Sequence, residues 1–476
     1  MKRRILFLTI IVALALITLS SCLYAGIPLE ELSGKTQAYE VQRRADEKIS
    51  GADSYTAAIE LSLQTTVSGK SVRATATGAQ MVSGQGTDDF MLETDVKYDI
   101  TGASSYTLRT GYCNGKMFSE YYGLPRNVYL CSSISRNDYL GYLRDIGDDY
   151  SHFALSSDAK EAKAEALEDG GWRAVFSNFG SRAIAAYSDS FNAEEIFENA
   201  VISDMIMTVT TDSELYYRSV AIDFIFEAAD DEGASPLPTA SITISFHYIN
   251  DTEVNKRLYE EHTEVEDLRI LTKLADAFDE VYEKQSGGFK LTTKINVKNT
   301  QNSFTEIAEG RYSIKPGGVN YTINALYEKD PYDEKSEYLI EYSDEKRVVT
   351  YVIEDPPEDM VNEGKETESD DYTERRYIKG ILNPGGFTYY MAESVEKNED
   401  GSYTLELLPS NALMNSLTSL GVSGEAETVK YTIRLNFWGD LSYVKAEIET
   451  NYSYINLGGA TYRYNGITIV SECEYK

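Results

Sequence analysis

The chain has 476 residues and carries 77 acidic against 44 basic side chains, a formal net charge of −33. A surface of that sign repels polyanions, which excludes nucleic acid and anionic lipid headgroups as partners. With 42% hydrophobic residues the chain can bury packed cores, and its length calls for more than one domain.

The chain opens with Lys2-Arg3-Arg4, followed by an apolar run from Ile5 to Leu19 broken only by Thr9 and Thr18. A basic start, an apolar middle and small residues at the end are the layout of a secretory signal. The run falls short of the ~20 residues a membrane-spanning helix needs. It ends in Leu19-Ser20-Ser21-Cys22, which resembles the lipobox of bacterial lipoproteins. The resemblance implies that residues 1–21 are a signal peptide and that Cys22 receives a diacylglyceryl group and becomes the mature N-terminus. Export and lipid anchoring to the outer face of the cell membrane follow as expectations, since two acyl chains hold firmly. Residues 1–21 hold Lys2, Arg3 and Arg4 and no acid, so the mature chain is three charges more negative still.

Residues 22–36 form a short lipidated tether. A helix follows, with Ala38, Val41, Ala45 and Ile49 on one face. Tyr55, Ala57, Ile59, Leu61 and Leu63 then alternate as a half-buried strand. The pattern is repeated later in the chain. Leu271, Leu274, Phe278 and Val281 share a helical face, and Phe289, Leu291, Thr293, Ile295 and Val297 alternate, Phe289 lying 234 positions after Tyr55. A strand glycine comes next in each case, Gly78 and Gly310, 232 apart. Glu168-Asp169-Gly170 matches Glu399-Asp400-Gly401, 231 apart, and both are Asp-Gly hairpin turns. Short helix-like stretches follow near Ala193–Ala200 and Ser410–Leu420. Val220, Ile222, Phe224 and Phe226 alternate, as do Ala446, Ile448 and Thr450. Ile242-Thr243-Ile244 and Ile467-Thr468-Ile469 close the two halves, 225 apart. One match of alternating strands is a weak signal; five in one order indicate an internal duplication.

The expected organisation is therefore domain 1 over 37–250, a polar linker over 251–263, and a duplicate domain 2 over 264–476. The fold class is α+β, mainly antiparallel β, each domain a curved sheet packed on one or two helices. Two segments interrupt the pattern and read as loops, Gly123–His152 and Asp355–Arg376. The second holds Pro356-Pro357 and a dense acidic run, so composition makes it solvated and mobile.

A leading helix, long alternating strands and a late helix behind a lipobox resemble the LolA/LppX group of lipoprotein carriers and lipid-binding lipoproteins. The tandem arrangement resembles surface lipoproteins of Gram-positive bacteria. The resemblance is one of pattern over nearly the whole mature chain. It implies a curved antiparallel sheet wrapped around helices, with an apolar cleft able to hold acyl chains of a lipid or lipopeptide. The candidate cleft-lining residues are Tyr55, Ile59, Leu61, Leu63, Ile222 and Phe224 in domain 1. In domain 2 they are Phe289, Leu291, Ile295, Val297, Leu435 and Phe437. Alternating apolar residues also serve simply as core.

Chemistry is sparse. The three histidines, His152, His247 and His262, show no metal-ligand spacing, and no cofactor fingerprint is present. Ser157-Asp158-Ala159-Lys160 fits Ser-x-x-Lys, but its partner motifs are absent. Of four cysteines, Cys113 and Cys131 are a candidate disulfide pair outside the cell, and Cys473 reads as a small buried hydrophobe. The 37 tyrosines suit half-exposed strands. Tyr121-Tyr122, Tyr216-Tyr217, Tyr389-Tyr390, Trp172 and Trp438 are candidates for stacking on sugars. The expectation is a non-catalytic binding or carrier module, without metal or cofactor. The alternative is a surface protein that binds protein, peptide or glycan.

Overall fold

The computed structural model describes residues 27–476 apart from gaps, the longest being 149–155, 185–199, 229–235, 353–363, 384–391 and 410–421. The signal run and Cys22 lie outside the described residues. The chain divides into two compact units, the first ending at His262 and the second beginning at Thr263. Both are built mainly of antiparallel strands, each a curved sheet packed on helices.

In the first unit, α1 (Gly34–Ser50) precedes β1 (Tyr55–Val67), β2 (Lys70–Ser83), β3 (Met91–Ile100), β4 (Tyr106–Cys113), β5 (Lys116–Tyr122) and β6 (Val128–Ser133). After α2 (Arg136–Asp148) come β7 (Ala159–Ala166), β8 (Trp172–Phe179), β9 (Ala200–Thr211), β10 (Tyr217–Ala228) and β11 (Thr239–His247). The spatial order is β6-β5-β4-β3-β2-β1-β11-β10-β9-β8-β7. Two meanders thus meet where the first strand of the unit pairs with its last.

The second unit opens with α3 (Arg269–Glu283), β12 (Ser286–Val297), β13 (Ser303–Lys315), β14 (Gly318–Asp330), β15 (Glu334–Ser343), β16 (Lys346–Val352) and β17 (Gly364–Glu368). Then follow α4 (Asp371–Leu382), β18 (Ala392–Lys397), β19 (Tyr403–Leu407), β20 (Val422–Leu435), β21 (Leu441–Leu457), β22 (Ala460–Tyr464) and β23 (Ile467–Tyr475). Its order is β17-β16-β15-β14-β13-β12-β23-β21-β20-β19-β18, with β22 an added hairpin arm on β21. Strand for strand this is the connectivity of the first unit. The helix after the sixth strand is kept as well.

Register explains the repeated glycines. Gly78 of β2 lies opposite Ile59, and Gly310 of β13 opposite Phe289. A Cβ on Gly78 would lie 1.9 Å from the Asp95 carbonyl oxygen of the next strand. On Gly310 it would lie 2.7 Å from the Thr322 carbonyl and 3.0 Å from the Phe289 ring. Neighbouring backbone approaches too closely for any side chain. Both Asp-Gly turns form as the sequence indicates, with Gly170 at φ 85° and Gly401 at φ 80°.

Two expectations change. The segments read as loops contain structure: β6 and α2 lie in the first, β17 and the first half of α4 in the second. Charge masked a helical face. In α4, Ile378, Ile381 and Leu382 are buried, and Glu374 is buried too because the Tyr321 and Ser369 hydroxyls donate to its carboxylate. The stretches read as late helices, 193–199 and 410–420, lie outside the described residues, and Ala200 begins β9.

Candidate functional site

The inner face of the first sheet is one continuous apolar surface. Across strands, Tyr106, Tyr98, Ala76, Leu61, Ile242, Ile222, Met207 and Phe176 stand side by side. The adjacent row is Leu108, Val96, Gly78, Ile59, Ile244, Val220, Val209 and Ala174. Cross-strand neighbours of this kind are the unit of sheet stabilisation. The second unit repeats the device with Phe304, Ile295, Ile469, Ile448, Val429, Leu407 and Ala392.

Helix α1 covers one flank of the first face. Its buried stripe of Ala38, Val41, Ala45 and Ile49 packs toward β7–β10. The Tyr39 ring sits 5.5 Å from Phe176, and its hydroxyl donates to the Ser156 carbonyl at 2.8 Å. The Tyr217 hydroxyl donates to Asp46. Burial pushes the Asp46 carboxyl up to about 7, against the lowering effect of that hydrogen bond. On the other flank Tyr139 of α2 stacks on Tyr112 at 4.8 Å. In the second unit a row of three tyrosines, Tyr312, Tyr321 and Tyr342, lies directly across β13, β14 and β15. Their hydroxyls donate to the Val281 carbonyl, to Glu374 and to the Ser369 carbonyl, tying α3 and α4 to the sheet. The abundance of tyrosine is thus used from both ends of the side chain, ring in the core and hydroxyl on a helix or the chain beside it.

Ten of the twelve expected cleft residues belong to these inner faces. Tyr55, Ile59, Leu61, Leu63, Ile222, Phe224, Phe289, Leu291, Ile295 and Val297 are all buried, at 7% exposure or less. They form closed core, not the wall of an open groove. Leu435 is half-buried at the end of β20, and Phe437 does not line a cleft at all. Phe437 is 92% exposed, because the alternation through Ile433 and Leu435 ends at a turn over Asn436–Asp440.

The cysteine expectation also changes. Cys113 and Cys131 are buried and are not joined by a disulfide. They lie on β4 and β6 with β5 running between, a separation of about two strand spacings, beyond the reach of a disulfide. Both pack around Phe118 on the outer face. Cys473 is fully buried between Leu291 and Val444, and burial pushes its thiol up to about 12.

The segment read as a polar linker is a clasp on that outer face. The Arg257 guanidinium lies 4.1 Å from the Phe118 ring centroid, pairs with Glu93 at 2.7 Å and pairs with Glu120. His262 Nε2 meets Glu120 at 3.0 Å, and the Tyr259 hydroxyl donates to the Cys113 carbonyl at 2.9 Å. Arg109 adds contacts to Asp95, Glu93 and Glu120 from its own strand. The Glu120 side chain is 2% exposed, so these cations are what permits its burial. Composition alone gave no sign of this, since Arg257 and His262 acquire their role only opposite Glu93 and Glu120.

His247 is exposed at the end of β11, while His152 and Ser157 lie outside the described residues. Lys160 is exposed on β7, not on a buried helix. Among the described residues no group of three metal-ligating side chains occurs, and no helix is long and apolar enough to cross a membrane. Of the candidate stacking aromatics, Tyr121, Tyr217 and Trp172 are buried; Tyr389 and Tyr390 lie outside the described residues; Trp438 is 83% exposed.

No family model matches the chain, and no curated protein sequence does. Among solved structures it is similar to LprF from Mycobacterium bovis, at 10% identity over 48% of this chain and 99% of that one, TM-score 0.26. It is also similar to a putative outer membrane lipoprotein-sorting protein domain from Vibrio parahaemolyticus, at 12% identity over 44% of this chain and 94% of that one, TM-score 0.16. Both scores are low, and the fold described above stands on the strand order and register of this chain alone.

Proposed function

We propose that the protein is a membrane-anchored extracellular lipoprotein whose two sheet units are non-catalytic binding modules for an apolar or amphipathic ligand such as a lipid or lipopeptide. The observation that carries the reading is the width of the inner face. An unbroken apolar row runs from Tyr106 on β4 to Phe176 on β8, while α1 packs mainly toward β7–β10. Helices α1 and α2 lie on its two flanks, and chain over the stretch between them would be exchangeable for acyl chains at little cost in apolar burial. Anchoring through Cys22 keeps the modules at the surface where such ligands reside. The inner-face residues are buried, so binding requires displacement of covering chain.

The test is native mass spectrometry of residues 23–476, purified from a lipid-rich bacterial host and followed by solvent extraction. The expected result is bound lipid, at up to one molecule per unit. A ligand-free mass that persists after incubation with lipids from a native-like host overturns the reading.

A further inference from the structure

The two units build the same five-residue turn between their ninth and tenth strands, and fill it differently. In the first unit it is Asp212-Ser213-Glu214-Leu215-Tyr216. The Asp212 side chain accepts from the amides of Glu214 and Tyr216, both at 2.9 Å, and Leu215 sits at φ 68°. In the second it is Asn436-Phe437-Trp438-Gly439-Asp440. The Asn436 side-chain oxygen accepts from Trp438 at 2.8 Å and Asp440 at 3.0 Å, and Gly439 sits at φ 94°. The backbone bonds match as well: the first residue of each turn donates to the carbonyl of the fifth, and the fourth to that of the first. Exposed Ser213 and Glu214 therefore occupy the places of Phe437 and Trp438. The turn does not need aromatic rings in order to form.

Phe437 at 92% and Trp438 at 83% are the most exposed large apolar side chains among the described residues. Their rings meet edge to face at 5.2 Å. Two neighbouring side chains make polar contacts: Arg434 reaches across to Asp400, and Asn436 Nδ2 donates to Asp440. We propose that this tip is a membrane-contact site, at which the two rings enter the headgroup–acyl boundary of a zwitterionic lipid surface. Two rings bury at most a few hundred Å², well below the ~1,000 Å² of a stable protein interface. A lipid boundary accepts such a tip without a complementary patch, and indole is a preferred side chain there. The side-chain bonds of Asn436 hold the tip in one shape, so little ordering is required on insertion. The site extends the anchored reading: acyl chains on Cys22 would hold the tip at high local concentration near the surface, so weak partitioning suffices.

Residues 23–476 hold every described element of both units and serve as the probe with phosphatidylcholine vesicles. The chain has only two tryptophans, and Trp172 is buried. The variant F437S/W438E installs the first unit's turn residues and keeps Trp172, so the difference between the two emission spectra belongs to Trp438. The expected result is a blue shift of Trp438, its quenching by brominated acyl chains, and vesicle partitioning that falls about tenfold per ring in the variant. Grafting the rings onto the sister turn, S213F/E214W, raises partitioning. Trp438 emission unchanged by vesicles, or equal partitioning of wild type and F437S/W438E, overturns the proposal; a tip that served a protein partner would give that result. Lipid recovered by solvent extraction reports on the inner faces and is unchanged by the turn swap, so the tip and the ligand-binding reading fail separately.

Discussion

The outer faces of the two units show how one connectivity can be finished in two ways. In the first unit β3, β4 and β5 turn Glu93, Cys113, Phe118 and Glu120 outward, and all are buried beneath the chain at Asn255, Arg257, Tyr259 and His262. In the second, the corresponding β14 and β15 turn Thr322, Asn324, Glu337 and Glu341 outward, and all are exposed. The inner faces are alike; the outer faces differ in whether chain lies on them. The shared connectivity keeps what the sheet needs to close and leaves the opposite surface free to differ.

Removing the clasp's central cation should break the comparison most. Arg257→Ala leaves Glu93 and Glu120 buried without it, and should destabilise the first unit by about 3 kcal/mol or more. Urea unfolding followed separately in the two units should show the loss in the first only. A shift in both would mean the clasp is not specific to one. Next come the paired glycines. Gly78→Ala should cost about 3 kcal/mol and Gly310→Ala about 1–2 kcal/mol, since both Cβ atoms meet a backbone carbonyl but the first at 1.9 Å and the second at 2.7 Å. Equal losses by thermal unfolding would contradict the difference in approach.

A smaller effect is tied to pH. Asp46 has its pKa raised to about 7 by burial, above its value in an unfolded chain. The folded state therefore holds the extra proton between about pH 4 and 7, and this contribution to stability is lost as pH rises through 7. Asp46→Asn keeps an acceptor for Tyr217 and should flatten that slope, gaining on the order of 1–2 kcal/mol at pH 8 relative to wild type and little at pH 4. An unchanged melting-temperature profile from pH 4 to 8 would show that Asp46 is solvated. Smallest of all, F437S/W438E should leave both unfolding transitions within about 0.5 kcal/mol of wild type, as expected for surface positions.

How much of this was legible depends on where each residue finds its partners. Strands such as Tyr55–Leu63 and Phe289–Val297, and the helical faces at Ala38–Ile49 and Leu271–Val281, are written in local period, and the structure has them where alternation put them. Gly78 and Gly310 were legible as strand glycines, though their reason lies in the facing strand. Helix α4 was hidden because Glu374 looks solvated until Tyr321, 53 positions away, is seen to bond it. The clasp was hidden for the same reason, Arg257 lying 137 positions from Glu120. Phe437 misled because period two continues through a turn when the turn residues happen to be apolar. The binding surface itself was legible as an apolar pattern, but a pattern does not distinguish covered core from open wall.

The pairing of first strand with last has a kinetic consequence. In each unit β1 or β12 can complete its hydrogen bonding only when β11 or β23 has arrived; Thr293 and Ser471, bonded across this seam, are 178 positions apart. Contacts of such separation make folding slow, and until the seam zips both meanders present a raw edge at the middle of the future sheet. A nascent unit is therefore most exposed to mispairing just before its synthesis ends. With two units of like pattern in one chain, the wrong partner for each edge is covalently close at hand.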